Sequence, residues 1–524
     1  MSTSAVPAVL RVEQHGIDTI PTEDRNARIS DLFRMVFGGA NTFTTVVLGS
    51  FPILFGLPFL DALAVTVAGI VVGAVILCPM ALFGPLTGTN NAVSSSAHLG
   101  VHGRIVGSYL SLLVAFSFFA ISVWSSGDAL VGGAHRFVGL PETPWTHAVA
   151  YGLFAALVLT IAVYGFRFLL WVNKVAVVVA SVLLLLGAFA FHDSFNLWYA
   201  GSFGPSATAE TMAAYWPAMI AAGLIVMANP ISFGAFLGDW SRYLPTAASK
   251  RRVMAAVILG QLATLLPFTF GLVTASIIAE IAPDYLNSGN YVGGLLAIAP
   301  GWYFVPVCLL ALVGGLSTGT GLLYGTGLDF SSVFPRFTRV QATMLIGSTA
   351  IVLIFIGRFV FDVVQSISTF ALVIVTCTVP WMVIMTIGFF TRRGWYDPEA
   401  LQVFNRRQRG GRYWYNHGWN WRAMSVWIVA AVAGLLFVNL PGQFVGPLGE
   451  LGGGADLSIP VSLGITAALY PIVLWIFPEP EDVFGPEGPR WAPAAPARNV
   501  PIIPRDNNVA VDSAAVPDVI HSRV

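Results

Sequence analysis

The chain has 524 residues, of which 56% are hydrophobic and only 10% charged, and its 26 basic and 26 acidic residues cancel. Apolar stretches of about 20 residues, the length a helix needs to cross a bilayer core, recur along nearly the whole chain. That excludes a soluble multidomain protein, the balanced charge offers no footprint for nucleic acid, and what remains is an all-α integral membrane protein with the lipid bilayer as its solvent.

In chain order, residues 1–33 are polar and carry no apolar core of the signal-peptide kind. Twelve spans follow, centred near residues 46, 71, 119, 154, 180, 225, 265, 315, 350, 373, 431 and 468. Basic residues near a span hold a loop on the cytoplasmic side during insertion. Arg25, Arg28 and Arg34 precede the first span, Arg242, Lys250, Arg251 and Arg252 follow the sixth, Arg336 and Arg339 the eighth, and Arg392, Arg393, Arg406 and Arg407 the tenth. The connections at 193–211, 281–302 and 440–457 contain neither Lys nor Arg. The alternation predicts a multi-pass protein of the cell membrane with both termini cytoplasmic, a transporter domain over 34–478 and, from its Pro/Ala-rich composition, a disordered tail over 479–524. Cys78, Cys308 and Cys377 lie far apart in apolar runs and read as small buried hydrophobes.

Three spans carry interruptions: GGANTFTTVVLGS (38–50) in the first, MANPISFGAFLGDW (227–240) in the sixth and GGLSTGTGLLYGTGLDF (314–330) in the eighth. Glycine lowers helix propensity and Pro230 removes a backbone donor, so each segment either unwinds locally or lets helices pack closely through small residues. Non-helical backbone at membrane depth is tolerated only where it lines a cavity or is buried in protein. The first and sixth spans are corresponding members of two five-span halves, and the third and eighth correspond likewise. Five is odd, so the halves insert with opposite orientation, and breaks in matching positions point to a midplane binding site in a secondary transporter. The breaks are expected near Asn41–Thr45 and Asn229–Ser232.

The third span contains VWSSGDALVGG (123–133), with Asp128 one turn after Trp124 and no basic residue within the run. A carboxylate at the centre of a spanning helix costs roughly 2.5–3.5 kcal/mol on insertion scales, so such acids face a cavity or a partner. Asp128 is open to three readings: a structural hydrogen bond to Ser125, Ser126 or a facing helix, contact with a substrate, or carriage of a coupled proton.

Several segments together resemble the nucleobase cation symporter family in its purine and cytosine permease branch: LGSFPILFGLPF in the first span, FGPLTGTNNAVSSSAHLGVHG (83–103), GDWSRYLP (238–245), PWMVIMTIGFFTRRGWYDPEAL (380–401) and GRYWYNHGWNWRA (411–423). The resemblance implies a leucine-transporter-type fold, ten helices in two inverted repeats plus two C-terminal helices, and uptake of a nucleobase or related heterocycle driven by a proton or sodium gradient, with no cofactor and no catalysis. It implies that Trp124 stacks on the flat substrate and that Asp128 stands at the family's hydrogen-bonding position. Ser232 and Phe233 match a Ser-Trp pair, and Thr318, Gly319 and Leu322 replace the family's substrate-binding asparagines. Thr44, Thr45 and Asn229 in the broken segments complete the expected substrate set. A candidate sodium site is implied at Ala40, Ser317 and Thr318, although the two hydroxyls also suit bonding back to their own helix.

No HExxH, paired-cysteine or Walker-type sequence is present, which removes metalloprotease and ATP-driven pump chemistry. An amino-acid or amine carrier of the same fold is the rival, and it predicts a charged substrate group at the broken helix ends and no need for stacking.

Overall fold

The computed structural model of the chain describes residues 18–164, 166–205, 207–287, 291–334, 336–359, 363–440 and 444–504. Among them ten helices are long and apolar enough to cross a membrane, or eleven when the bent pair Ile29–Ala40 and Phe43–Leu54 counts as one span. The shorter apolar helix Trp421–Leu436 brings the number of spans to twelve. After the first span these are Phe59–Leu77, Arg104–Val138, Pro144–Tyr164, Phe166–Ala190, and Tyr215–Ser232 continued by Leu237–Ser241. The seventh is Lys250–Ala263 with Leu265–Ile281, followed by Phe304–Val333, Arg339–Phe359, Val363–Thr391, Trp421–Leu436 and Ser458–Ile476.

The packing carries the symmetry that the halved pattern predicts. The second span packs along the sixth and the first along the seventh, two contacts that exchange when the five-span halves are interchanged. The third packs along the eighth, a contact that maps onto itself.

The first span breaks at Asn41–Thr42, where its two parts meet at 59°. Thr42 turns extended, and its Oγ1 accepts the Thr45 N–H at 3.2 Å, capping the second part. The sixth span breaks later than expected. Pro230 sits inside the helix, which runs on to Ser232, and the break falls at residues 233–236. Proline lacks one donor and crowds the turn before it, but the residues after it keep their own N–H groups and can extend the helix by a few residues. The break is held by the Phe233 N–H on the Pro230 carbonyl (3.2 Å), the Gly234 N–H on the Ile231 carbonyl (2.9 Å) and the Asn91 Nδ2 donating to the Gly234 carbonyl at 2.9 Å.

The glycine-rich eighth span does not unwind; it is one helix from Phe304 to Val333. Its glycines admit neighbours. A Cβ on Gly314 would lie 2.9 Å from the backbone at Thr42 and Phe43, and one on Gly319 2.9 Å from Val158. Ser122 Oγ and Ser126 Oγ of the third span donate to the Gly315 and Ala311 carbonyls at 2.9 and 2.8 Å, which the bare helix surface permits.

At one end of the bundle the basic connections meet. The Ala27 N–H bonds the Tyr243 carbonyl at 3.0 Å, and Arg339 donates to the Val163 carbonyl at 2.8 Å. The expectation of a disordered tail from residue 479 does not hold for residues 479–504. Glu479 is buried and accepts from Arg392 at 2.6 Å and from Asn420 Nδ2 at 2.8 Å, while Gln408–Arg409 pair antiparallel with Ile503–Pro504. Composition missed this because the order comes from a buried charge pair and backbone pairing and not from an apolar stripe. Residues 505–524 lie outside the described residues. Burial, then the neighbouring Arg392 guanidinium, hold His98 in this layer well below its ordinary pKa.

Candidate functional site

Both breaks open on one cavity. Met35, Gly39, Thr42, Thr44 and Thr45 of the first span line it, with Phe118 of the third, Asn173 of the fifth, Asn229, Ser232, Phe233, Phe236 and Trp240 of the sixth, and Ser317, Thr318, Gly321 and Leu322 of the eighth. No lining side chain is ionisable at neutral pH. The walls are closely drawn: the centre of a water-sized sphere can reach about 20 Å³, room for one or two waters. A flat ring therefore enters only as the walls part.

One side of the cavity is an aromatic cluster built by the sixth-span break. Phe233 and Trp240 have ring centroids 5.6 Å apart at 65°, and Phe236 lies 5.5 and 5.7 Å from the two. Gly39 lets this cluster approach the first span, since a Cβ there would lie 2.9 Å from the Phe233 ring. Several buried polar atoms of the lining meet no partner among the described residues: Thr44 Oγ1, Asn229 Nδ2, Asn173 Oδ1 and Trp240 Nε1. Buried polar groups are normally hydrogen-bonded, so unmet atoms around one cavity are available to a polar ligand.

Opposite elements are tied together by hydroxyls. Ser317 Oγ donates to the Gly38 carbonyl and Thr318 Oγ1 to the Gly39 carbonyl, both at 2.9 Å, and Asn173 Nδ2 donates to Ser317 Oγ at 3.0 Å. Neither hydroxyl bonds back to its own helix, as Thr320 does to the Leu316 carbonyl at 2.8 Å. The two hydroxyls of the expected cation site thus meet the Gly38 and Gly39 carbonyls, while Ala40 is buried and does not line the cavity. Oxygen donors suit a hard cation, but the amide N–H of Asn173 points at one of them, and a cation bound there would have to displace that donor.

The structure places Thr44, Thr45, Asn229, Ser232, Phe233, Ser317, Thr318 and Leu322 around one cavity, and Trp124, Asp128 and Gly319 are not in its lining. Phe118 is the third-span residue that faces the cavity. Trp124 comes six residues later, about 120° around the helix from Phe118. It is only 4% exposed and belongs to the apolar core. Asp128 faces the fourth span, where the Tyr151 hydroxyl donates to its carboxylate and His147 Nε2 lies 3.6 Å away. Neither neighbouring serine serves it: Ser125 bonds the Ser122 carbonyl and Ser126 the Ala311 carbonyl. Gly319 faces Val158 and Phe119. Of the residues not anticipated, Asn173 is an amide in a largely apolar span, but Lys174 follows it directly, so the sequence did not set it apart as it did Asp128.

A family described as permeases for cytosine/purines, uracil, thiamine and allantoin matches residues 19–476. The chain belongs to that family. It is a membrane permease of that family. YxlA of Bacillus subtilis, which is named as a purine-cytosine permease, is 24% identical over 482 residues, covering 89% of this chain and 96% of that protein. The purine-cytosine permease FcyB of Emericella nidulans is 24% identical over 322 residues, 58% of either chain. Among solved structures, Mhp1, a nucleobase-cation-symport-1 family transporter closed around bromovinylhydantoin, superposes with a TM-score of 0.66 at 18% identity, covering 91% of this chain and 98% of that one. A sodium-coupled sialic acid symporter follows at 0.54 and 14% identity, covering 87% and 91%. The fold is of the leucine-transporter type.

Proposed function

We propose that the permease imports an uncharged planar heterocycle through the cavity between the first, third, fifth, sixth and eighth spans. The observation that carries this reading is the lining: four aromatic rings, uncharged amides and hydroxyls with unmet atoms, and no ionisable side chain. Aromatic faces favour a flat ring by burial and stacking. A zwitterion or ammonium ion would lose its hydration here without gaining a counter-charge, which disfavours the amino-acid or amine carrier. Phe118, Phe233 and Trp240 take the stacking role, and Thr44, Thr45, Asn229, Ser232, Thr318 and Leu322 complete the substrate shell. The relatives' names, purine-cytosine permeases, and the hydantoin held by Mhp1 agree with a ligand of this shape.

The coupling ion in this reading is the proton. Ser317 and Thr318 already close on the Gly38 and Gly39 carbonyls, with an amide N–H occupying the approach. Asp128, hydrogen-bonded by Tyr151 and facing His147, is the carrier on the third span. The basic end of the bundle is cytoplasmic, following the distribution of arginines. In this reading the transporter domain expected over 34–478 extends to residue 504, since residues 479–504 pack against its basic end. Uptake of labelled uracil, cytosine, hypoxanthine and hydantoin into proteoliposomes, with separate proton and sodium gradients, tests both parts. Uptake of at least one ring that follows the pH gradient and ignores sodium is expected; uptake driven by sodium alone would reject the proton, and uptake of amino acids alone would reject the heterocycle.

A further inference from the structure

The fifth span contributes one polar side chain to the cavity, Asn173, and its two amide atoms do different things. Nδ2 donates to Ser317 Oγ at 3.0 Å. This orientation is fixed by the neighbours and not by choice: the single Ser317 hydroxyl proton is already spent on the Gly38 carbonyl at 2.9 Å, so Ser317 must accept from the amide. Oδ1 is therefore the atom left over, and it meets no donor among the described residues although Asn173 is only 2% exposed. The fit around it is tight, since a Cβ on Gly38 would lie 2.5 and 2.7 Å from the two amide atoms. A buried amide oxygen on a cavity wall, with no donor of its own, is placed to accept an N–H from whatever fills the cavity.

We propose that Asn173 is a substrate-binding residue that selects rings bearing an N–H: Oδ1 accepts the ring N–H while Nδ2 braces the contact between the first and eighth spans. This rests on the cavity being the heterocycle site. The amide thereby links two events, because the hydrogen bond it accepts from the substrate polarises the one it donates to Ser317. A ring with its N–H tightens the closed contact between the spans, and one lacking that proton leaves it looser. The bound ring must then present an N–H to Asn173 and acceptors to the Trp240 and Asn229 donors, the pattern of an oxo-substituted lactam such as uracil or hypoxanthine.

The experiment measures equilibrium binding of uracil and hypoxanthine, and of their singly N-methylated forms, to purified wild type, Asn173→Ala and Asn173→Asp. In wild type, methylation at one ring nitrogen is expected to weaken binding at least tenfold. In Asn173→Ala the parent ring should weaken about tenfold and the methylated-to-parent ratio should fall to near one, whereas Asn173→Asp keeps the acceptor and should keep the ratio. If the alanine variant does not fold, the aspartate variant decides alone: a retained ratio supports the proposal and a lost one overturns it. An alanine variant with the wild-type ratio also overturns it. Wild type that binds none of these rings overturns the heterocycle reading, and this inference with it.

Discussion

The cavity at the two breaks and the Trp124–Asp128 turn of the third span show the same outward sign in the sequence, polar and aromatic residues inside apolar runs. They have different surroundings in the structure. In the cavity, Thr44, Asn229, Asn173 and Trp240 keep polar atoms without partners among the described residues, and the aromatic rings of the sixth span line the narrow space between the two breaks. On the third span, Asp128 is met by Tyr151 and Trp124 is enclosed by the core. Spacing of four along a helix shows that two residues are neighbours; it does not show which way they look. Trp124 also has an indole N–H without a partner among the described residues, so an unmet atom marks a ligand site only where a cavity adjoins it.

The largest effect that separates the two regions is expected at Trp124. Trp124→Ala should lower stability by about 3–5 kcal/mol through the cavity it leaves, read as a fall in the unfolding midpoint in detergent, while the protein that remains folded binds substrate with wild-type affinity. Phe233→Ala also leaves a cavity and should lower the midpoint, but unlike Trp124→Ala it should weaken binding by the folded protein by roughly 2 kcal/mol, about thirtyfold, in equilibrium dialysis. Equal loss of affinity in the two variants would merge the regions into one site.

How far the site was legible follows from where its signals lie. The breaks announce themselves through Gly38, Gly39, Pro230 and the hydroxyls around them, and residues in or beside them reach the cavity. Phe118 carries no such mark, being one apolar residue in an apolar run, and only the crossing of the third span with the first and eighth turns it inward. Trp240 sits inside GDWSRYLP, which reads as the start of a connection; the break at 233–236, later than Pro230 suggested, points its ring back. The eighth span shows the converse. Its glycines look like those of the first span, yet the helix stays whole because every freed surface is filled by a neighbour, whereas Thr42 and Asn91 supply caps for the two real breaks. Glycine density tells where chains approach; a partner for the liberated backbone tells where they unwind. The positions of the twelve spans were open to composition and period, the ten-plus-two arrangement came from the family resemblance, and the order of residues 479–504 was open to neither.

Two smaller effects sharpen the comparison further. Asp128→Asn should leave counterflow of substrate intact while accumulation loses its response to the pH gradient, a loss of about tenfold, near 1.4 kcal/mol, for one unit of gradient. Accumulation unchanged in this variant would leave Asp128 as a structural partner of Tyr151. Thr44→Val removes one unmet hydroxyl without changing shape and should weaken binding by roughly 0.5–1 kcal/mol, with no change in the unfolding midpoint. A fall in the midpoint with unchanged affinity would place Thr44 with the packing residues of the core.

The most direct test is a cryo-electron microscopy structure of the permease with saturating uracil or hypoxanthine. Density for the ring is expected between Phe118, Phe233 and Trp240, within hydrogen-bond distance of Asn173 and Asn229. Density stacked on Trp124 with Asp128 at its edge, and none between the two breaks, would contradict it.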